Sequence, residues 1–374
     1  MMNIGIPQEI MTGEGRVALT PEACKTLKEA GHTVYVQQSA GLNSAYTDQD
    51  YQSSGAVLVE TAQQLYQEAQ LIIKVKQPLQ QDIRYLRSDH TVFSYLHLAA
   101  DLPLISTLKD IGLCAIPFES ITDDRGSLPL LAPMSRVAGR ISVIRGASLL
   151  FRNRGGRGVL LGGVDGADVG RVVVVGAGVA GRHAVGVAAA LGAKVDVLEL
   201  KEKKLELLKQ RHPAINTHLS TPELIETLCI QADLVIGAVL LAGRRAPVVL
   251  KQSVVKQMNP GSVIVDISID QGGCVEGIHS TSSEELCYIH NGVIHSAVPN
   301  MPATVARTSS QSLSSAILPY VLTLASLNLS ELGCAELQKA ESHRARALQQ
   351  AIAIQQGEVV DDVLRQELNP DELQ

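Results

Sequence analysis

The stretch LIIKVKQP, residues 71–78, ends an apolar, β-branched run with two lysines and then a proline, which cannot continue a central strand. Lys74 and Lys76 are two apart and share one face of an extended chain. They read either as a solvated strand end with snorkelling side chains or as an anion site at a strand's carboxyl end, where open α/β sheets hold their ligands. Arg16, in EGRVALTP shortly after the first strand, is an ordinary surface arginine on its own. Beside Lys76 it completes a cationic pair suited to a carboxylate. His97, in FSYLHLAA, follows another apolar run. It reads as a satisfied buried histidine or, because its pKa lies near neutral pH, as a general acid or base. Asp270, in VIVDISIDQGG, stands where a strand gives way to a Gly-Gly turn on the ligand side of such a sheet, whereas Asp266 falls mid-strand and reads as structural.

The sharpest motif is Gly176-x-Gly178-x-x-Gly181, directly after the strand Val172–Val175 and opening the helical HAVGVAAALG. With a strand before and a helix after, these glycines let the backbone approach a pyrophosphate at the helix N-terminus. A second strand from Lys194 ends at Glu199, whose carboxylate can accept from ribose hydroxyls and would repel a 2′-phosphate. NAD is therefore the expected cofactor, not NADP. The plain alternative is a Gly-rich βα turn that holds nothing.

Strand-like and helical runs alternate around these residues. NIGIP, the helical TPEACKTLKEAG, HTVYVQ, the helical DQDYQSSG, AVLV, TAQQLYQEAQ and LIIKVK follow one another, and VFSYLHL and LCAIPFE close the first unit. Thr20 before Pro21 is an N-cap with proline at N1, and Gly31 is a C′ stop. This pace means βαβ units and a largely parallel sheet. LPLLAPMSRVAGRISVIRGASLLFR reads as a long helix after Pro133 leading into a second unit, which runs from RVVVVGAG through ADLVIGAV and GSVIVDISID to VIHSAVPNMP. From Thr304 the chain is helical again and continues into an amphipathic segment through QKAESHRARALQQAI; late helices of this kind pack back onto a first domain. The expected fold class is α/β: two Rossmann-like domains, each a mostly parallel sheet flanked by helices, with a cleft between them. Residues 1–130 plus 305–374 form the expected substrate domain and 131–304 the NAD-binding domain.

Composition narrows the function classes. With 45% apolar and 19% charged residues over 374 positions, the chain can bury a large core. A net charge of −6 and an aromatic content of 3% supply neither the basic face nor the stacking platforms of a nucleic-acid binder. No apolar run approaches the roughly 20 residues of a membrane span, and MMNIGIPQEI lacks the basic n-region of a secretory signal. The cysteines Cys24, Cys114, Cys229, Cys274, Cys287 and Cys334 are scattered, without CxxC or zinc spacing, so we expect reduced thiols in a cytoplasmic protein and no metal centre.

Taken in order, NIGIPQEI, GRVALTP, KVKQP, YLHLAA, LPLLAPMS, GGRGVLLGGV, ADLVIGAVL, DISIDQGG and VPNMPATV resemble the bacterial alanine dehydrogenases. The likeness covers nearly the whole chain, weakening after about Leu327, and several motifs are shared with the nucleotide-binding subunit of proton-pumping transhydrogenase. The resemblance implies NAD-dependent oxidative deamination of L-alanine to pyruvate and ammonia by a homo-oligomer, commonly a hexamer, with no membrane or nucleic-acid partner. It implies that Arg16 and Lys76 bind the substrate carboxylate and carbonyl, and that His97 and Asp270 are the catalytic pair. Asn300 and Met301 would flank the nicotinamide, Met134 and Ser135 would lie near substrate and cofactor, and Ser220 near the adenosine. Gln77 stands where the family commonly has glutamate and Phe118 where it has tyrosine, while Arg136 and Arg145 occupy positions usually neutral or acidic. The competing reading is a transhydrogenase-like module that holds NAD without amino-acid turnover; the presence of Arg16, Lys76, His97 and Asp270 weighs against it.

Overall fold

The computed structural model describes residues 1–240, 245–282, 285–327 and 342–368; Cys334 and the start of the segment QKAESHRARALQQAI lie outside them. The chain forms two compact units, one of residues 1–134 with 303–374 and one of residues 135–302.

In the first unit, β1 (Asn3–Ile6), β2 (Thr33–Gln37), β3 (Val57–Val59), β4 (Leu71–Ile73), β5 (Thr91–Ser94) and β6 (Cys114–Pro117) are parallel and lie in the order β3-β2-β1-β4-β5-β6. Ile4, Ile6, Leu71, Ile73 and Phe93 enter one core, and Ile72 and Val92 enter the other. Burial on both faces explains why these strands read as continuous apolar runs. Gly5 is required by close packing: a Cβ there would lie 2.8 Å from both Ala69 Cβ and Leu65 Cδ2.

The second unit repeats the plan. β7 (Arg171–Val175), β8 (Lys194–Glu199), β9 (Asn216–Leu219), β10 (Leu234–Gly237), β11 (Val263–Asp266), β12 (Tyr288–His290) and β13 (Val293–Ser296) lie in the order β9-β8-β7-β10-β11-β13-β12, with only β12 antiparallel to its neighbour. Val172 and Val174 face one core, Val173 and Val175 the other. In both sheets the strand order reverses beside the first strand, at β1/β4 and β7/β10, which is where doubly wound sheets bind ligands.

The chain then returns to the first unit. In the helix Ala306–Ser326, Leu313, Ile317, Val321 and Leu324 enter the core that holds Leu19 and Leu27. Its Ser310 and Ser314 hydroxyls accept the backbone N–H groups of Val17 and Thr20, at 2.9 and 3.1 Å. β14 (Ile354–Gln355) adds antiparallel to β6, and β15 (Glu358–Val359) pairs with β14. Sequence periodicity cannot reveal strands of two residues, but the turn between them has Gln356 and Gly357 at φ 49° and 80°, as a tight hairpin demands.

Three local readings are corrected. β4 ends at Ile73, before Lys74, because the Val75 N–H leaves the ladder for the Glu9 carboxylate. Asp266 is the last residue of β11, and Asp270 lies in the 3₁₀ turn Ile267–Gln271 that follows. Thr20 does precede the helix Pro21–Glu29, but its hydroxyl meets Ser314 and makes no cap bond.

Candidate active site

The polar residues of the first unit gather where its parallel strands end: Glu9, Glu14 and Arg16 after β1, Lys74 and Lys76 after β4, His97 after β5 and Glu119 after β6. Arg16 is no surface residue, being 2% exposed. Glu14 grips it as a fork, accepting from Nε at 2.7 Å and from Nη2 at 2.5 Å, while Nη1 donates to Met134 Sδ at 3.1 Å. Burial opposes the guanidinium charge, but the Glu14 hydrogen bonds and charge overcome it and hold Arg16 above its ordinary pKa.

His97 takes the left-handed conformation at φ 48°, which a residue with a side chain rarely adopts. Glu119 holds it there, its Oε1 accepting the His97 N–H at 2.6 Å and lying 3.9 Å from Nδ1. The ring stacks on Tyr95, and the Tyr95 ring meets Phe118 edge-on. Phe118 is fully buried, so the absence of a hydroxyl there leaves no polar group to satisfy. Desolvation first, then the charges of Lys76 and Arg16, push the His97 pKa down to about 4. With 44% of the side chain still exposed, water screens part of that depression. Arg16, Lys76 and His97 thus lie within electrostatic reach of one another, and the two cations favour the neutral imidazole.

In the second unit the glycine loop has the shape a dinucleotide needs. Gly176 sits at φ 98°, and a Cβ on it would meet Ala238 O at 2.5 Å. A Cβ on Gly181 would clash with the Gly176 carbonyl oxygen, whereas no atom of a described residue lies within 4 Å of one on Gly178. The turn is therefore closed on its protein side and open at Gly178, the N-cap of the helix Val179–Ala190, where a pyrophosphate would approach. Glu199 ends β8 and accepts from the Ala177 N–H at 3.0 Å and from Lys204 Nζ at 3.0 Å, tying itself to the loop. Burial works against its charge, yet Lys204 and the Ala177 N–H hold its pKa below the usual carboxylate value. Ser220, just after β9, donates its N–H to the Glu199 carbonyl at 2.9 Å, so these two residues are neighbours.

Asp270 accepts the Asn300 N–H at 3.1 Å, and Asn300 is itself left-handed at φ 54°. Asp266 anchors the turn that carries Asp270 by accepting the N–H groups of Ser268 and Cys274 at 2.8 and 2.7 Å. Met301 follows Asn300, but its side chain is 2% exposed and packs in the unit's core. Ser135 opens the unit in the helix Ala132–Leu149. Arg136 and Arg140, exposed on that helix, join Arg182 and Arg211 around His183, whose pKa is pushed to about 4 by desolvation and then by these arginines. Arg145 is half-buried, with Nη1 making no hydrogen bond to a described residue, and burial pulls its pKa down. Among the described residues no group of three or more His, Cys, Asp or Glu is arranged to hold a metal ion.

Sequence reasoning passes over Glu14, Glu119, Glu9 and Asp82, and leaves Lys74 open between a solvated strand end and an anion site. The strand-end rule that found His97 after β5 applies equally to Glu119 after β6 and would have found it. The sequence carries no signal for Asp82, whose contacts close only in the folded chain.

Comparison with known proteins shows the family. Residues 5–138 match the family description "Alanine dehydrogenase/PNT, N-terminal domain", and residues 142–362 match "Alanine dehydrogenase/PNT, C-terminal domain". Alanine dehydrogenase of Halomonas elongata is 45% identical over 325 residues, spanning 87% of this chain and 88% of that protein. The protein of the same name from Bacillus subtilis is 43% identical over 326 residues, 87% of this chain and 86% of its own. A solved L-alanine dehydrogenase structure superposes with a TM-score of 0.93 at 42% identity, covering 99% of each chain. A transhydrogenase structure from Sinorhizobium meliloti gives 0.79 at 26% identity, covering 96% of this chain and 99% of that one. On the strength of both family matches, in order along its length, the chain belongs to the alanine dehydrogenase/PNT family.

Proposed function

We propose that this protein catalyses the reversible, NAD-dependent oxidative deamination of L-alanine to pyruvate and ammonia. The observation that carries the reading is the convergence of Arg16, Lys76 and His97 at the carboxyl ends of β1, β4 and β5. Two cations beside a neutral imidazole suit a substrate that brings a carboxylate and requires a base. The first unit is assigned to the substrate and the second, through Gly176, Gly178, Gly181, Glu199, Ser220, Ser135, Asn300 and Met301, to the cofactor.

When bound, the nicotinamide accepts the hydride from Cα of L-alanine. Arg16 and Lys76 hold the carboxylate and orient Cα; once the substrate ammonium has given a proton to solvent, the nitrogen lone pair forms the iminium as the hydride leaves. His97 takes a proton from the water that adds to the iminium carbon, passes it to the nitrogen, and then takes the hydroxyl proton as the carbinolamine collapses to carbonyl and ammonia, releasing that proton to solvent. Asp270 supports the amine and the positive charge it acquires. Pyruvate and ammonia leave. With L-alanine and NAD, the purified protein is expected to form NADH, pyruvate and ammonia in equal amounts. NAD binding without turnover would favour a transhydrogenase-like module instead.

Glu199 is proposed to select NAD. Glu199→Ser is expected to weaken NAD binding and to raise the NADP/NAD ratio of kcat/KM by about 10-fold or more, since it removes the repelling carboxylate and leaves Lys204 free for a 2′-phosphate. Steady-state kinetics with both cofactors check this; an unchanged ratio would remove Glu199 from cofactor choice.

We further propose a cytoplasmic, oligomeric enzyme, a hexamer in the number the family likeness implies. The described cysteines are free thiols, as in a reducing compartment, and no described helix is long and apolar enough to cross a membrane.

A further inference from the structure

We infer that Lys74 is a positioning residue for Lys76: with Glu9 and Asp82 it forms a buried charge cluster that grips the chain on both sides of that lysine. The inference rests on the assignment of Lys76 to the substrate carboxylate.

Lys74 is 1% exposed. Its Nζ lies 3.4 Å from Glu9 Oε2 and 3.4 Å from Asp82 Oδ2, and makes no hydrogen bond to any described residue. The two carboxylates direct their hydrogen bonds elsewhere. Glu9 Oε1 accepts the N–H of Val75 at 2.6 Å, and Asp82 Oδ2 accepts the N–H of Leu79 at 3.1 Å. The remaining oxygen of Asp82 accepts from the Tyr66 hydroxyl at 3.0 Å, which fixes the carboxylate from behind. Val75 and Leu79 flank Lys76, so the attraction of one ammonium for two carboxylates fastens both approaches to it. The Val75 carbonyl in turn accepts the N–H of Tyr95 at 3.1 Å, two residues before His97. One peptide thereby links the backbones that carry the proposed carboxylate binder and the proposed base.

A stability role alone does not account for the cluster. Desolvating three charges costs more than burying apolar side chains of the same volume, and buried ion pairs rarely recover the difference. What they supply is a fixed register. Catalysis needs this, because a displacement of about 1 Å in a substrate-holding group costs about 10²-fold in rate.

The test uses the full-length protein with L-alanine and NAD. Lys74→Met is expected to raise the KM for L-alanine by about 10-fold, with kcat changed much less and the KM for NAD unchanged. In a Lys76→Ala background the same substitution is expected to add nothing, since the group it positions is gone. Lys74→Met alone strands two buried carboxylates, so a companion variant, Glu9→Gln/Lys74→Met/Asp82→Asn, removes all three charges. It is expected to melt near the wild type while keeping the raised KM. An unchanged KM in a folded variant, or an equal increase in the Lys76→Ala background, would overturn the inference and leave Lys74 a structural residue. Wild-type protein that does not turn over L-alanine would instead remove the role of Lys76, and the inference with it.

Discussion

His97→Ala is expected to lower kcat for L-alanine deamination by about 10³-fold or more while leaving NAD affinity unchanged. The imidazole is the base assigned to the hydration step, and the charged groups described beside it in the first unit are otherwise engaged. Glu119 is half-buried with Oε1 committed to the His97 N–H, and Lys76 and Arg16 are cations. The pH dependence gives a second readout. A base works only when neutral, and with its pKa held below the ordinary histidine value the imidazole of the free enzyme is neutral at pH 7. When an alanine carboxylate settles against Arg16 and Lys76 it offsets their charge, and the pKa of the ring rises in the complex. The acid limb of kcat is therefore expected at higher pH than the acid limb of kcat/KM. Coincident limbs would mean that the two cations do not act on His97 during turnover. Rate profiles of the wild type, with calorimetric titration of NAD into His97→Ala, check both statements.

Arg16→Met is expected to do two separable things. It removes a charged hydrogen-bonding partner of the substrate, raising the KM for L-alanine by about 10- to 100-fold. It also leaves the Glu14 carboxylate, whose side chain is 0% exposed, buried without its counter-charge, which costs about 3–5 kcal/mol of stability. The double variant Arg16→Met/Glu14→Gln neutralises that carboxylate. It is expected to recover most of the melting temperature and none of the KM. If KM and stability recovered together, Arg16 would be acting through the fold and not on the substrate.

The parts of the fold that were legible in the sequence are those set by periodicity and by glycine. Strand-before-helix context located the loop at Gly176 and the acid at Glu199, and the structure places the two ends of that argument in contact through the Ala177 N–H. Helix Ala306–Ser326 was legible as a late apolar helix returning to the first unit. The β14–β15 hairpin was not, because two-residue strands carry no period. At the candidate site, Lys76, His97 and Asp270 stand out as titratable groups at or just past apolar runs, whereas Arg16 gains its assignment only through Lys76 and the family resemblance. Their supports do not stand out. Glu14 and Glu119 matter because of which backbone or guanidinium they meet, and the sequence leaves Lys74 open because an exposed lysine is the common case. The same two-residue spacing that puts Lys74 and Lys76 on one face of a strand loses its meaning once β4 ends at Ile73. Sequence shows which residues can react; only the folded chain shows what holds them.

The central claim, hydride transfer from Cα of L-alanine, is tested most directly with L-alanine deuterated at Cα. The expected result is that deuterium arrives at C4 of the reduced nicotinamide, one equivalent per pyruvate formed. Tight NAD binding with no label transferred and no pyruvate released would contradict the account and leave a protein that holds the dinucleotide without oxidising an amino acid.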